Sequence, residues 1–343
     1  MSGTSLDGLD VAYMLFDTEN WHNFHILHAE TIAYDSYWQE KLKNAFAAPA
    51  EYLMELDVAY GIFLGNQINN FIQKHRIEQV DLIASHGHTV FHQPSKAFTT
   101  QIGSGAHINA VTRIKTVSNF RMQDVALGGQ GAPLVPIGDR LLFGNYDYCL
   151  NLGGFANISF EKNNQRKAFD ICPANIVLNH YAQKTGKKYD DKGNLARSGK
   201  LIPELLNRLN QLDFYRNNEP KSLGWEFVQE KILPLIDRHS QKIPDILHTF
   251  SRHIAEQIEK KTDKGTMLVT GGGTYNQYLV EQIQKSCATK IVIPDKMLID
   301  FKEALIFGLL GLLREQNQIN VLSSVTGSRL DHSSGIIFNA FKK

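Results

Sequence analysis

Residues 148–154 read Tyr-Cys-Leu-Asn-Leu-Gly-Gly, and residues 155–160 continue with Phe-Ala-Asn-Ile-Ser-Phe. Apolar residues at 148, 150 and 152 alternate, which predicts a strand, and Gly153 and Gly154 can take positive φ in a tight turn before a second strand. Because glycine has no Cβ, a phosphate group can approach the backbone amides at the tip of such a hairpin. On this stretch alone, an ordinary hairpin is the alternative.

A single carboxylate follows this hairpin. Residues 168–175 read Ala-Phe-Asp-Ile-Cys-Pro-Ala-Asn, which places Asp170 after the second strand. We expect a helix over about 173–185, with Pro173 in its first turn. The positive end of that helix would keep Asp170 ionised and able to accept a proton. A surface aspartate or a helix cap is the alternative interpretation.

The first ten residues have the same form as this hairpin. Met-Ser-Gly-Thr-Ser-Leu-Asp-Gly-Leu-Asp (1–10) is followed by the apolar run Val-Ala-Tyr-Met-Leu-Phe (11–16), which predicts a polar turn and then a strand. The strand that should enter this first hairpin has no residues. Either the true start of the chain lies upstream, or the edge of the sheet is shortened here.

Composition limits the classes of partner. The 343 residues are 43% hydrophobic and 21% charged, with 36 basic and 35 acidic residues and a net charge of +1. This balance favours a small-molecule substrate over nucleic acid or a membrane surface. The three cysteines form neither a disulfide framework nor a metal-ligand pattern, and no signal peptide or long apolar run is evident. We therefore expect a soluble, cytoplasmic protein.

Further helices and strands predict an α/β fold. Apolar spacing predicts helices over 35–48, 53–73, 106–114, 201–212 and 243–258, another opening at 220–227 and a last long helix from 300. Short apolar runs predict strands over 80–85, 116–119, 267–270 and 290–293.

The strand over 80–85 leads into Ser-His-Gly-His-Thr-Val-Phe-His (85–92) at its carboxyl end, where ligands gather in α/β sheets. The spacing of these histidines fits no zinc pattern, so we interpret them as hydrogen-bonding or substrate-lining residues.

Two more glycine-rich segments stand out. Residues 126–136, Ala-Leu-Gly-Gly-Gln-Gly-Ala-Pro-Leu-Val-Pro, predict a functional loop or crossover. Gly271, Gly272 and Gly273 follow a predicted strand and precede a helix, which suits a nucleoside lying across the backbone; a helix start that requires tight packing is the alternative. Neither segment is a P-loop or a GxGxxG fingerprint.

Together these segments predict a duplicated, two-lobed α/β ATPase fold of the actin-like, RNase H-like type, with its active site in the cleft between lobes. We expect lobe I at 1–125 and 317–343 and lobe II at 126–316. Each hairpin would provide amides to the phosphates of a nucleotide, and the late glycines would hold its nucleoside.

The sequence also resembles the anhydro-N-acetylmuramic acid kinase family of the actin-like and sugar-kinase superfamily, from Ser2 to about Gly335. The resemblance rests on an ordered set of segments: MSGTSLDGLD, SHGHTVFHQP, NFRMQD, ALGGQGAPLVP, LNLGGFANIS, FDICPAN, PKSLGWE, VTGGG, KEALIFG and SVTGS.

This resemblance implies an ATP- and Mg²⁺-dependent enzyme that opens the 1,6-anhydro ring of anhydro-N-acetylmuramic acid with water and phosphorylates O6, giving N-acetylmuramate 6-phosphate in cell-wall recycling. A homodimer is a candidate assembly. The resemblance also implies that Asp170 is the catalytic base. The implied nucleotide-binding residues are Gly3, Thr4, Ser5, Leu6, Asp7, Gly8, Leu9, Asp10, Gly271, Gly272 and Gly273. The second hairpin itself adds Gly153 and Gly154. The implied substrate-binding residues are Arg121 and Glu303. We add His88 and Asn175 as candidate substrate-binding residues, and no resident metal ligands are assigned.

The chain departs from the family pattern beside the base. Ile171 and Cys172 stand where the family usually has Thr-Gly, and Trp225 stands where it often has Arg. The substrate could therefore be a relative of the usual sugar. Two other functions remain open: an actin-like ATPase without a sugar substrate, and a kinase of a plain hexose that opens no ring.

Overall fold

The computed structural model describes residues 1–3, 6, 8–216, 223–238 and 242–341. The chain divides into two compact units: unit 1 comprises Met1–Leu142 and Phe301–Lys343, and unit 2 comprises Phe143–Asp300. The predicted α/β class with two lobes is confirmed. Among the described residues, no helix has the length and apolar character needed to cross a membrane.

The strands come in runs of one to three between helices. They are β1 (Gly8–Phe16), β2 (Phe24–Ala33), β3 (Ile83–Ser85), β4 (His88–Gln93), β5 (Phe98–Ile102), β6 (Thr116–Ser118), β7 (Tyr148–Leu152), β8 (Phe155–Lys162), β9 (Gln165–Pro173), β10 (Thr266–Thr270), β11 (Lys290–Val292) and β12 (Ile336–Phe338).

The α-helices range from a single turn to seven turns. They are α1 (Ser36–Asn44), α2 (Ala50–Lys74), α3 (Gly105–Thr112), α4 (Met122–Ala126), α5 (Pro136–Leu142), α6 (Asn175–Gln183), α7 (Asn194–Ser198), α8 (Pro203–Asn210), α9 (Asp213–Arg216), α10 (Trp225–Phe227), α11 (Leu233–Asp237), α12 (Ile243–Glu259), α13 (Gln277–Ser286), α14 (Lys296–Glu315) and α15 (Ser323–Thr326).

Unit 2 is built on a five-stranded sheet with the order β11-β10-β7-β8-β9. The strands β7, β8 and β9 form an antiparallel meander, and β10 and β11 run parallel to β7. When the strands are numbered within the unit and read from β9 to β11, their order is 3-2-1-4-5, as expected for an RNase H-like unit. The central strand β7 is flanked by β8 and β10, and its Leu150 and Leu152 are fully buried in the core.

Unit 1 contains smaller sheets. β1 pairs with β2 in an antiparallel hairpin, β3 lies at the edge of the sheet β12-β6-β3, and β4 pairs with β5. Residue Ser2 forms isolated bridges to Leu9 and to His88. Thr4, Ser5 and Asp7, which belong to the predicted first turn, lie outside the described residues, so the first hairpin stays a prediction.

The unit boundaries differ from the predicted ones, because 126–142 and 301–316 belong to unit 1. The reason is packing that the sequence does not display. Cβ atoms at Gly308 and Gly311 of α14 would collide with Met14 of β1 and Ala84 of β3, so α14 packs on the strands of unit 1. A Cβ at Gly138 of α5 would collide with Ile306, so α5 packs on α14. In addition, the Lys302 ammonium lies 2.7 Å from the Asp139 carboxylate, and both side chains are buried.

Several predicted element bounds are wrong. Pro173 ends β9, and α6 begins at Asn175 instead of at the proline. The last long helix begins at Lys296, ahead of the predicted start at Asp300. The helix predicted to open at 220–227 includes 220–222, which lie outside the described residues, and its described part begins at Trp225.

Candidate active site

The hairpin β7–β8 forms with the predicted two-glycine turn. Gly154 is exposed and Gly153 half-buried, and neither has positive φ, so that part of the prediction is wrong. A Cβ at Gly153 would come no nearer than 3.3 Å to Asn151 Nδ2, and one at Gly154 no nearer than 3.7 Å to Ile176 Cβ. A side chain therefore fits at Gly154 and would press on Asn151 at Gly153, and the two glycines leave an open approach to the turn.

Gly271, Gly272 and Gly273, here called the glycine turn, lie against the end of β7. Gly271 has a φ of +85°, and a Cβ there would lie 2.5 Å from Asn151 Oδ1. A Cβ at Gly273 would lie 2.6 Å from Leu152 Cβ. Gly272 is exposed with open space around it. The outer two glycines therefore allow close packing, and the middle one offers bare backbone to solvent.

Asn175 connects the two turns. Its Nδ2 donates a hydrogen bond to the Leu152 carbonyl at 3.1 Å, and it begins α6. The backbone amides of Ala174 and Ile176 donate to the Gly154 carbonyl at 2.8 and 3.1 Å. Unit 2 thus brings the hairpin tip, the glycine turn and the start of α6 together at the carboxyl-terminal ends of β7, β10 and β9.

Asp170 is half-buried within β9 and is not a helix cap. Opposite it, Asn157 pairs with Asp170 while Ala156 pairs with Cys172, so Ile171 is an extra residue in the ladder. Such a β-bulge redirects the neighbouring side chain and is common beside active sites. The first residue outside α6, Ala174, makes no side-chain cap, so the capping alternative is wrong.

The Asp170 carboxylate has one hydrogen bond among the described residues. The Leu223 backbone N–H donates to Oδ2 at 2.8 Å. Burial raises the pKa of Asp170, and the Leu223 hydrogen bond opposes that rise. A carboxylate with a raised pKa is a stronger base than an exposed aspartate, which suits proton abstraction at neutral pH.

The departures from the family pattern occupy different positions around Asp170. Ile171 and Cys172 are both fully buried members of the unit 2 core. They therefore fill the interior behind the base. Trp225, by contrast, is partly exposed and lies two residues beyond Leu223, the residue that holds the Asp170 carboxylate.

In unit 1, Arg121 is hydrogen-bonded to His86, one of the histidines in the segment 85–92. Its Nε donates to His86 Nε2 at 2.9 Å, and its Nη1 donates to the Gly131 carbonyl at 2.7 Å. Burial and the nearby Arg121 charge lower the pKa of His86 to about 3. His86 is therefore neutral, and it holds the guanidinium in one orientation.

Glu303 and Asp10 share this electrostatic environment. The residue Glu303 is exposed overall, yet desolvation of its carboxyl group raises its pKa, and the Arg121 charge acts in the opposite direction. Asp10 adds a further negative charge that raises the pKa of Glu303. Its own Oδ1 accepts a hydrogen bond from Thr31 Oγ1 at 2.6 Å.

The other histidines are engaged in hydrogen bonds. His88 Nδ1 lies 3.0 Å from Ser2 Oγ, which also accepts from the Tyr34 hydroxyl at 2.8 Å. His92 Nδ1 lies 3.1 Å from Thr99 Oγ1. Across the ranges that the structure describes, no group of three or more His, Cys, Asp or Glu could hold a metal ion.

Asp124 is a buried residue that the sequence patterns did not single out. Its Oδ2 accepts from the Gly131 N–H at 2.6 Å, and its Oδ1 accepts from Thr326 Oγ1 at 2.7 Å. It therefore fixes the glycine-rich loop that carries the Gly131 carbonyl bound by Arg121. The signal was present in NFRMQD, where a carboxylate closely precedes a glycine-rich loop.

An RNase H-like sheet whose edge carries two glycine turns and a half-buried carboxylate defines an α/β enzyme suited to a phosphorylated ligand. The family model described as "AnmK: Anhydro-N-acetylmuramic acid kinase" matches residues 1–340. The chain belongs to the anhydro-N-acetylmuramic acid kinase family, and it is an enzyme that phosphorylates a small-molecule sugar. The resemblance stated above is confirmed.

Curated relatives match nearly the whole chain. The anhydro-N-acetylmuramic acid kinase of Mannheimia succiniciproducens is 34% identical over 98% of this chain and 97% of its own length. The Pasteurella multocida enzyme of the same name is 34% identical over 98% and 95%. The Bacillus cereus enzyme of that name is 30% identical over 96% and 95%.

The glycine turn gives a matched pair of substitutions. We expect Gly271→Ala to lower the free energy of unfolding by about 2 kcal/mol, because the added Cβ meets Asn151 and the backbone has positive φ. Gly272→Ala should change it by less than about 0.5 kcal/mol, since its surroundings are open. Urea unfolding measures both; equal losses would contradict this account of the turn.

Proposed function

We propose that this kinase opens the 1,6-anhydro ring of anhydro-N-acetylmuramic acid with water and transfers the γ-phosphoryl group of ATP to O6. The product would be N-acetylmuramate 6-phosphate, formed in the cytoplasm during cell-wall recycling. Membership of the anhydro-N-acetylmuramic acid kinase family carries the proposal. Cleavage of an acetal by water requires a base, and the half-buried carboxylate of Asp170 would take that role.

The proposed reaction balances as one hydrolysis coupled to one transfer. Asp170 takes a proton from water while the water oxygen bonds to C1 and the C1–O6 bond breaks. O6 then attacks the γ-phosphorus, and the bond from that phosphorus to the bridging oxygen breaks to release ADP. The consumed molecules are the anhydrosugar, water and ATP, so the sugar gains one water and one phosphoryl group, and the proton taken by Asp170 is released to solvent.

The protein's part in the transfer is mainly to position and to stabilise charge. In unit 2, we assign Gly153 and Gly154 to the phosphates, because their backbone is open to an anion. We assign Gly271, Gly272 and Gly273 to the nucleoside, because Gly272 presents bare backbone with space above it. The residues Gly3, Leu6, Gly8, Leu9 and Asp10 would contribute the nucleotide-binding segment of unit 1.

We assign Arg121 and Glu303 to the sugar, with His88 and Asn175 as further contacts. His86 and Gly131 hold the Arg121 guanidinium in place, so the sugar would meet a preorganised cation. His88 and Asn175 already make hydrogen bonds within their own units. We propose that His88 and Asn175 contact the sugar directly and that their hydrogen bonds also fix Ser2 and the Leu152 carbonyl.

Asp10 fits a role toward Mg²⁺. Kinase sites usually hold this ion through one or two carboxylates together with phosphate oxygens and waters, so a cluster of protein ligands is not needed. Asp10 is a carboxylate whose Oδ1 is oriented by Thr31. When bound, the ion neutralises charge on the reacting phosphates.

The mass of the product tests the proposed reaction. We expect the enzyme, given 1,6-anhydro-N-acetylmuramic acid and ATP in heavy-oxygen water, to form a product heavier than the anhydrosugar by one phosphoryl group and one water, with the heavy oxygen at C1. The same reaction in ordinary water is the control. A product that gains a phosphoryl group alone would identify a kinase without ring opening, and ADP without a sugar product would identify an ATPase.

Asp170→Asn tests the role of the base. The variant keeps an oxygen for the Leu223 N–H but cannot accept the water proton, so turnover should fall about a hundredfold or more while the melting temperature is kept. The matched control is Asp213→Asn, which removes a carboxylate that is 95% exposed on the surface of unit 2. Turnover and melting should be measured on the same samples; wild-type turnover in Asp170→Asn would end this assignment.

A further inference from the structure

The C-terminal part of unit 1 contains a loop that closes on itself. Residues 321–332, here called the tail segment, begin and end in an antiparallel bridge. The Val321 N–H donates to the His332 carbonyl at 3.1 Å, and the His332 N–H donates to the Val321 carbonyl at 3.2 Å. Within the segment, the first N–H of α15 donates to Asp331 Oδ1 at 2.7 Å. These bonds hold Thr326, the last residue of α15, in a fixed position.

The tail segment is hydrogen-bonded to the glycine-rich loop through backbone groups. The Gln130 N–H donates to the Thr326 carbonyl at 2.8 Å, and the Arg329 N–H donates to the Leu127 carbonyl at 3.2 Å. Because every residue except proline carries both of these backbone groups, such bonds leave no mark in the sequence. The loop is therefore attached at two points to a segment that lies far along the chain.

Thr326 also binds Asp124 through its side chain. Thr326 Oγ1 donates to Asp124 Oδ1 at 2.7 Å, and both side chains are fully buried. His332 Nε2 lies 3.7 Å from the same carboxylate oxygen, which is too long for a hydrogen bond. Since a buried carboxylate oxygen without a donor costs free energy, the Thr326 hydroxyl stabilises this orientation of Asp124.

The other carboxylate oxygen of Asp124 supports the glycine-rich loop. Asp124 Oδ2 accepts from the Gly131 N–H at 2.6 Å. A Cβ at Gly129 would lie 2.2 Å from the same Oδ2, so the loop passes directly over the carboxylate. Gly131 has a φ of +67°, and a Cβ there would lie 2.8 Å from Val125 Cγ2. Glycine at these two positions therefore lets the loop pack closely on Asp124.

Gly131 connects this support to Arg121. The Gly131 carbonyl accepts from Arg121 Nη1 at 2.7 Å, while the Gly131 N–H is held by Asp124. On its other side, Arg121 Nε donates to His86 Nε2 at 2.9 Å, and His86 Nδ1 donates to the Gly87 carbonyl at 3.0 Å. Two of the three guanidinium nitrogens are thus bound. The third, Nη2, has no hydrogen-bond partner among the described residues, so it is the nitrogen that a ligand would contact.

We propose that Thr326 is a positioning residue for the sugar, because its hydroxyl holds Arg121 through Asp124 and Gly131. This inference rests on the proposed role of Arg121 in binding the sugar. Thr326 is fully buried, so it acts through Arg121 and not by touching the sugar. A guanidinium that is already held at two nitrogens need not be ordered when the sugar binds, and this preorganisation favours affinity.

Removal of the Thr326 hydroxyl tests this role. We expect Thr326→Val, which keeps the branched shape of the side chain, to raise KM for the anhydrosugar about fivefold or more. KM for ATP and kcat should stay within about twofold, because the lost support acts on sugar binding alone. Thr326→Ser keeps the hydroxyl and should restore the wild-type KM. The matched control is Thr112→Val, which removes a hydroxyl that donates to the Ile108 carbonyl of α3 elsewhere in unit 1.

The Arg121 Nε–H provides a second measurement, which needs neither sugar nor ATP. In nitrogen-15 NMR spectra of the wild type, this hydrogen should exchange slowly with solvent, because it is bound to His86 within a held guanidinium. In Thr326→Val, its exchange should be faster by about fivefold or more, because the guanidinium is held less firmly. Arg121→Lys identifies the signal, and melting temperatures are measured on the same samples.

Three results would overturn the proposal. Fast exchange of the Arg121 Nε–H in the wild type would show that the guanidinium is not held, and this result requires no variant to fold. An unchanged exchange rate in Thr326→Val would show that Thr326 does not act through Arg121. A KM that rises equally for sugar and ATP, without recovery in Thr326→Ser, would show a role in stability alone.

The same data separate this proposal from the proposed function. Faster Arg121 Nε–H exchange in Thr326→Val, in an enzyme that does not act on the anhydrosugar, would refute the proposed function. It would at the same time support the hydrogen-bond path from Thr326 to Arg121, because the exchange measurement is made without any substrate.

Discussion

The contact between the glycine turn and the end of β7 is the constraint on which the site in unit 2 depends. Gly271 and Gly273 approach Asn151 and Leu152 so closely that a Cβ at either would collide. This packing sets β10 beside β7 and leaves the exposed Gly272 and Gly154 at the same sheet edge. Glycine at the outer positions therefore serves the fold, whereas glycine at 154 and 272 leaves backbone open to a ligand.

Local sequence patterns predicted most of the elements. The alternation at 148–160 indicated the hairpin β7–β8, and the apolar spacing in 53–73 and 243–258 indicated α2 and α12 with small errors at their ends. The location of Asp170 was harder. Proline favours the first turn of a helix, yet Pro173 ends β9, because pairing with Phe155 and the bulge at Ile171 extend the strand.

Contacts between residues distant in sequence could not be predicted. The helix α14 belongs to unit 1 because Gly308 and Gly311 let it pack against β1 and β3. The buried ion pair between Asp139 and Lys302, which are far apart along the chain, then ties α5 to α14. Likewise, Arg121 was identified through a family segment, but its support by His86 and Gly131 became visible only in the structure. The assigned roles of these residues in binding the sugar remain predictions.

The central claim is that Asp170 acts as an unprotonated base, and the pH dependence of kcat/KM for the anhydrosugar tests it most directly. Burial raises the pKa of Asp170, so activity should fall as the pH drops through a single pKa above the ordinary aspartate value of about 3.9. The melting temperature should be followed from about pH 4 to about pH 8 to separate unfolding from titration. Activity that is constant down to the ordinary aspartate pKa in a folded enzyme would contradict the account.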